Sequence, residues 1–244
     1  MKISIIGTGM IATEVIKMLR NEAKGIEITS IFSHSNKEKA LTLAKENDID
    51  HVYTDYAQLL KEDDADFVYI ALVNNAHYTY VRQALEAQRN AIVEKPFTST
   101  LEEAKLLALM ARERGLYLFE AVTPLHTPNF QLVKQSLKRI APIHFAQCNF
   151  SQYSSRYERY LQGDIAPAFN PELGGGALND LNVYNINIIV GLFGEPIANQ
   201  YFANHGHNGV DTSGIMVLTY PNLTASCVAA KDSSSPSFIL IQGE

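Results

Sequence analysis

The sequence predicts an α/β protein of two domains: an N-terminal doubly wound parallel sheet, then a C-terminal α+β domain on an open, mostly antiparallel sheet. Three observations predict it. Residues 1–121 alternate short apolar runs with helical segments, the rhythm of strand-helix-strand units. The run Lys2-Ile3-Ser4-Ile5-Ile6 passes straight into Gly7-Thr8-Gly9-Met10-Ile11-Ala12 and then into a helical pattern. From residue 122 onward strand-like runs dominate, with only one strong helix among them.

In the first domain the strands read as Lys2 to Ile6, Glu27 to Phe32, Phe67 to Leu72, Ala91 to Glu94 and Tyr117 to Glu120. Helices fit between them at Ile11 to Asn21, Lys37 to Asn47, His77 to Gln88 and Leu101 to Arg114. The last has Ser99 or Thr100 as its N-cap and Gly115 as its stop. The glycine turn after the first strand is the dinucleotide-binding start of a Rossmann domain. Gly7 allows the tight turn, Gly9 removes the side chain that would hold a pyrophosphate off the backbone, and Ala12 lets helix and strand pack closely. Thr8, Met10 and Ile11 border the same turn, whose helix offers its positive end to phosphates.

The second domain opens at a proline-containing crossover, Thr123-Pro124 and Thr127-Pro128, followed by a helix from about Asn129 to Arg139. Strands are expected at Ile143 to Ser151, Gln200 to Asn204, Gly214 to Thr219, Thr224 to Ala230 and Phe238 to Gln242. The division is therefore 1–121, a dinucleotide-binding domain, and 122–244, a second domain. The chain stops directly after an apolar run, which leads to the expectation of a truncated second domain.

Composition narrows the function classes. The 244 residues are 46% apolar and 19% charged, as expected of a globular protein with a substantial core. A formal charge of -6 argues against a nucleic-acid or anionic-membrane partner. The N-terminal apolar run is only a strand long, too short for a signal peptide or a membrane span. Cys148 and Cys227 have no metal-ligand spacing and read as buried thiols in a reducing compartment, so the expected location is the cytoplasm. His205 and His207 sit in the turn-like sequence Asn204-His205-Gly206-His207-Asn208, and no metal site is expected there or elsewhere.

Two further motifs can carry chemistry. Val93-Glu94-Lys95-Pro96 places Lys95 just past the carboxyl end of the fourth predicted strand, where ligands bind in such sheets, and Pro96 stiffens the turn. The segment Leu173 to Gly194 contains the run Gly174-Gly175-Gly176 and a single charged residue, Asp180. A helix with no Lys or Glu on a wet face is largely buried, and Asp180, Tyr184 and Asn187 make a narrow polar stripe on it. The stripe is either a cleft wall or a set of hydrogen-bonded core groups. Arg156 and Tyr157 read as an exposed loop near the substrate side.

In this order these motifs resemble the glucose-fructose oxidoreductase, inositol dehydrogenase and MocA family of NAD(P)-dependent enzymes, over nearly the whole chain. Leu72-Val73-Asn74-Asn75-Ala76-His77 resembles that family's Thr-Pro-Asn-x-x-His, with Asn74 and His77 kept, and Glu120-Ala121 followed by Pro128 fits its entry into the second domain. The resemblance implies cofactor contacts at Leu72, Asn74, His77, Glu94 and Lys95, with Lys95 near both nicotinamide and substrate. It implies that Asp180 and Tyr184 line the substrate site. Many members carry histidine at the position of Tyr184; the tyrosine resembles the branch with tyrosine as acid/base. Asn182 and Asn187 also depart from the histidine-bearing pattern.

The implied activity is hydride transfer between the nicotinamide and a hydroxyl or carbonyl carbon of a sugar, polyol or related small molecule. Oxidising an alcohol also removes its hydroxyl proton, so a base and a cation near the developing alkoxide both help. Tyrosine titrates near pH ~10 in isolation, and a neighbouring lysine would lower that value. A nucleotide-binding sensor on the same scaffold is the alternative, because one fold hosts unrelated functions. The end of the second strand reads Phe32-Ser33-His34-Ser35-Asn36-Lys37, with no carboxylate before Glu38 to accept the ribose 2'-hydroxyl. Ser33, His34, Ser35 and Lys37 are polar or basic groups suited to a 2'-phosphate, which favours NADP over NAD. One face of the second-domain sheet has no helix to cover it, so a homo-oligomer is expected through that sheet.

Overall fold

The computed structural model describes residues 1–244. The chain divides into two compact units, Met1–Ala121 and Val122–Glu244.

The first unit is a six-stranded parallel sheet of β1 (Lys2–Ile6), β2 (Glu27–Phe32), β3 (His51–Tyr53), β4 (Phe67–Ile70), β5 (Asn90–Val93) and β6 (Leu118–Glu120). The strand order is β3-β2-β1-β4-β5-β6, so the order reverses between β1 and β4. Five helices connect the strands: α1 (Met10–Glu22), α2 (Lys37–Glu46), α3 (Tyr56–Glu62), α4 (His77–Glu86) and α5 (Leu101–Arg114). Because a parallel sheet buries both faces, its strands read as mostly apolar runs, with Ser4, Thr29 and Ser30 buried among them. Ile3, Ile5, Ile28 and Ile31 pack with Ile16 and Leu43 on one face. On the other, Ile6, Val68, Ile70 and Val93 pack with Leu85 and Leu107. Helix α5 has the full capping box, with the Thr100 side chain on the Glu103 N–H and the Glu103 side chain returning, and it stops at left-handed Gly115.

Two elements of this unit were not expected from sequence: β3 and α3. Three residues are too few to display a period-2 pattern, and β3 pairs only with β2 at the sheet edge. The strand read as Phe67 to Leu72 ends at Ile70, which leaves Leu72 in a turn.

The second unit begins with α6 (Pro128–Ser136), capped by the Thr127 hydroxyl on the Phe130 N–H. Its sheet comprises β7 (Ile143–Ser151), β8 (Ala198–His205), β9 (Asp211–Thr219), β10 (Thr224–Ala230) and β11 (Phe238–Gly243), in the order β11-β7-β10-β9-β8. Only β7 and β10 pair in parallel. Between β7 and β8 lie α7 (Tyr157–Leu161) and α8 (Val183–Phe193). Tyr157, read from sequence as loop, belongs to α7, where its ring packs with Tyr153, Tyr160 and Phe169.

Helix α8 lies on one face of the sheet, where Ile189 packs on Ala146, Cys148, Ala225 and Cys227. Small residues on the central strands let the helix come close. Cys148 and Cys227 stand opposite each other in register as buried free thiols. The other face carries exposed Phe145, Phe202, Ile215, Phe238 and Leu240.

Candidate active site

The turn after β1 is shaped by two glycines held for different reasons. Gly7 has φ +124, and a Cβ there would lie 2.3 Å from the Ala71 carbonyl oxygen at the end of β4. Only glycine fits that close approach. Gly9 has an ordinary φ of -68, and apart from its chain neighbours nothing lies within 4 Å of a Cβ built on it. Packing therefore does not explain Gly9. It is the N-cap of α1, which has no side-chain cap and no acidic residue in its first turn, while Ala12 is fully buried against the sheet. An open helix N-terminus on bare backbone fits an anionic phosphate group, so the residues present fit a dinucleotide. Met10 and Ile11 are exposed beside it.

The contrast gives a first test. Gly7→Ala is expected to cost roughly 2 kcal/mol or more of stability, through positive φ and the carbonyl clash. Gly9→Ala should melt within a few degrees of the wild type, the cost of a weaker cap, yet lose dinucleotide affinity. Thermal melts and NADPH titrations of both variants check this; normal NADPH binding by Gly9→Ala would remove that turn from the cofactor site.

The turn after β2 stands next to it. The Ser33 side chain is buried; its hydroxyl accepts the Asn36 N–H at 3.2 Å and lies 3.5 Å from the Thr8 hydroxyl. Ser33 thus braces the two turns, and His34, Ser35, Asn36 and Lys37 are exposed there.

At the carboxyl ends of β4 and β5, His77 joins two turns. It is fully buried, with Nδ1 2.8 Å from the Pro96 carbonyl oxygen and Nε2 3.3 Å from that of Leu72. Burial pushes the imidazole below the ordinary histidine range, partly offset by those two carbonyls. Asn74 opens the 3₁₀ turn that precedes α4. Glu94 accepts the Tyr69 hydroxyl at 2.6 Å, and Glu120 accepts the Phe97 N–H at 2.9 Å. Burial raises the Glu120 carboxyl above its usual range, a Phe97 hydrogen bond opposes this, and Glu94 adds to it. Half-buried Lys95 sits between these braced residues, with a cis bond to Pro96. The Gly7 to Ile11 turn, Leu72, His77 and Lys95 thus all lie at the carboxyl edge, where β1 and β4 reverse the strand order. Ligands bind at that edge in open α/β sheets.

In the second unit the polar stripe resolves into distinct parts. The glycine run does not start a continuous α-helix: Leu178–Asn182 form a π-helical turn that leads into α8. Such widened turns recur at functional sites. A Cβ at Gly176, which has φ +120, would strike the Asp211 carboxylate at 1.9 Å. That carboxylate accepts the Leu178 N–H at 2.7 Å and the Tyr201 hydroxyl at 2.6 Å, tying the turn to β9. Asn182 and Asn185 are buried and donate to the Cys227 and Val228 carbonyls of β10, while Asn187 donates to Val183 in its own helix. Asn182 and Asn185 are thus hydrogen-bonded core groups, whereas Asn187 is half-buried.

Asp180 and Tyr184 differ from them. Tyr184, in the first turn of α8, meets the Phe150 ring edge-on at 5.8 Å and lines a recess of about 500 Å³ with Pro124, Phe150, Ile188 and Ile239. Asp180, in the π turn, is ion-paired with Lys231 at the end of β10. Sequence reasoning missed Lys231. Its only local signal is a lysine directly after seven small or apolar strand residues, and its partner is 51 residues away.

The sequence profile of an oxidoreductase family with an NAD-binding Rossmann fold matches residues 1–122, and that of the GFO/IDH/MocA C-terminal domain matches residues 130–244. The chain belongs to the GFO/IDH/MocA oxidoreductase family. YgjR, an uncharacterized oxidoreductase of Escherichia coli K12, is 33% identical to this GFO/IDH/MocA member, over all of the chain and 74% of its own length. The scyllo-inositol 2-dehydrogenase (NADP(+)) IolU of Bacillus subtilis 168 is 32% identical over the same shares. The crystal structure of KijD10, a 3-ketoreductase from Actinomadura kijaniata, in complex with NADP and TDP-benzene, superposes with a TM-score of 0.87. It is 27% identical over all of this chain and 74% of that one. The GFO/IDH/MocA member described here thus spans about three-quarters of the length of these relatives, with the doubly wound and mostly antiparallel sheets expected from its sequence.

Proposed function

We propose that this chain is an NADP-preferring oxidoreductase that moves a hydride between the nicotinamide and a hydroxyl or carbonyl carbon of a sugar or polyol. The observation that carries this is the open, uncapped helix start at Gly9 on the same sheet edge as Lys95. The sugar class is supported by the names of IolU and of the dTDP-sugar 3-reductases similar to the chain. The recess beside Tyr184 supports it too, since Phe150 and Ile188 offer an apolar wall to the C–H face of a ring while the phenol supplies a polar handle.

When bound, the nicotinamide accepts or gives the hydride. Tyr184 takes the hydroxyl proton during oxidation and returns it during reduction. Lys95 offsets the charge that develops on the alkoxide oxygen. Asp180 accepts a hydrogen bond from a substrate hydroxyl. On this reading Met1–Ala121 holds the cofactor, while Val122–Glu244 holds the substrate and mediates self-association.

NADP preference is supported by the turn after β2, where His34, Ser35 and Lys37 are exposed and no carboxylate precedes Glu38. Fluorescence titration is expected to give at least about tenfold tighter binding of NADPH than NADH, or roughly 1.4 kcal/mol; the reverse order would overturn the preference. The five exposed apolar residues on one face of the second sheet support a homo-oligomer built through that face. Light scattering should return a multiple of 27.1 kDa, and a monomer would rule this out. The buried free thiols support a reducing, cytoplasmic setting. No helix is long and apolar enough to cross a membrane, and the acidic net charge supports a small molecule rather than a nucleic acid as partner.

A further inference from the structure

Lys231 is the one lysine among the largest fully buried side chains, with 2% of its surface exposed. Its ammonium donates to the Asp180 carboxylate and, at 2.9 Å, to the Ala168 carbonyl oxygen, and it lies 4.7 Å from the centre of the Phe169 ring. Tyr160, Phe169 and Val210, all buried, form an apolar cluster, with Phe169 against the ammonium. Asp180 is different: 35% of its side chain is exposed. The pair is therefore one-sided, with a cation sealed in the core and its carboxylate reaching the surface of the π turn one turn before Tyr184.

Taking an ammonium out of water is costly, and an apolar side chain of equal volume would commonly serve a core as well or better. A buried lysine aimed at a half-exposed carboxylate calls for another reason. We propose that Lys231 is a positioning residue for the reaction: it fixes the Asp180 carboxylate in one orientation so that its outer side accepts a substrate hydroxyl. The cation–π contact and the Ala168 carbonyl hold the ammonium, the ammonium holds Asp180, and the π turn places Asp180 ahead of the proton-transfer tyrosine. This rests on reading Asp180 as a substrate-binding residue.

The test is a double-mutant cycle of Lys231→Met and Asp180→Asn, with kcat and KM measured for scyllo-inositol and NADP. Where methionine disturbs folding, Lys231→Gln takes its place. Lys231→Met is expected to lower kcat/KM by roughly tenfold or more, the scale of losses when a supporting residue behind a site is removed. NADPH affinity and melting temperature should stay near wild type, and Lys231→Met should cost nothing further in the Asp180→Asn background. A crystal structure of the variant, which needs no turnover, should show the Asp180 carboxylate in a changed rotamer. Equal losses in both backgrounds, or a silent Lys231→Met with Asp180 unmoved, would overturn the positioning role while leaving Asp180 in the site. A silent Asp180→Asn would instead remove Asp180 from the substrate site, and this inference with it.

Discussion

Lys95→Ala is expected to abolish turnover while lowering dinucleotide affinity only modestly. The residue follows β5 at the carboxyl edge of the parallel sheet. Its turn is held by other groups: His77 on the Pro96 carbonyl, Glu120 on the Phe97 N–H, and the Tyr69 hydroxyl on Glu94. Removing the lysine side chain leaves those bonds in place, so the variant should fold and bind NADPH. On the proposed mechanism it loses the positive charge that offsets a developing alkoxide. Removing a single preorganised donor of that kind costs about 100- to 1,000-fold in rate, and a full ammonium should cost at least as much. Steady-state kinetics together with NADPH titration separate the two effects. Near-normal kcat would take Lys95 out of the mechanism; lost NADPH binding with unfolding would return it to a structural role.

Tyr184→Phe should lower kcat by about 100-fold or more, the usual contribution of a general acid/base. The substitution deletes one oxygen and keeps the ring that meets Phe150 edge-on, so packing of the α8 start should survive and the melting temperature should hardly move. A selective loss in kcat, with KM and NADPH affinity little changed, is the signature of an interaction made in the transition state. An unchanged rate would make Tyr184 a wall of the recess and nothing more. The same substitution with a large fall in stability would mean that its hydroxyl serves the core.

The parts of this molecule that were legible in its sequence are those written in local signals. Gly7 and Gly9 at a strand-to-helix turn, Thr100, one of the two caps expected for α5, and Gly115 at its other end each act within a few residues, and each stands where the pattern implied. The parts that were not legible depend on distance or on geometry without a period. Strand β3 is too short to show alternation, and α7 is a single turn of aromatic and charged residues with no apolar face to read. The π turn at Leu178–Asn182 follows Gly176, which closes on Asp211 far along the chain, and nothing in its own residues announces i→i+5 bonding. Lys231 belongs to the same class: a lysine after a strand reads as solvated until its carboxylate is found across the fold. Ser33 was legible as a polar residue in the right turn, but its hydroxyl points inward to brace Thr8 and Asn36. His34, Ser35 and Lys37, by contrast, are exposed.

The central claim is that this chain turns over a sugar or polyol at the expense of a nicotinamide dinucleotide. The most direct test follows reduced nicotinamide by absorbance when the purified chain meets NADP and a panel of inositols, aldoses and deoxy sugars. NADPH formation is expected with at least one member of the panel, abolished in Lys95→Ala and strongly reduced in Tyr184→Phe. NADPH binding without turnover on the whole panel, with both variants binding as the wild type does, would contradict it and make the chain a nucleotide sensor.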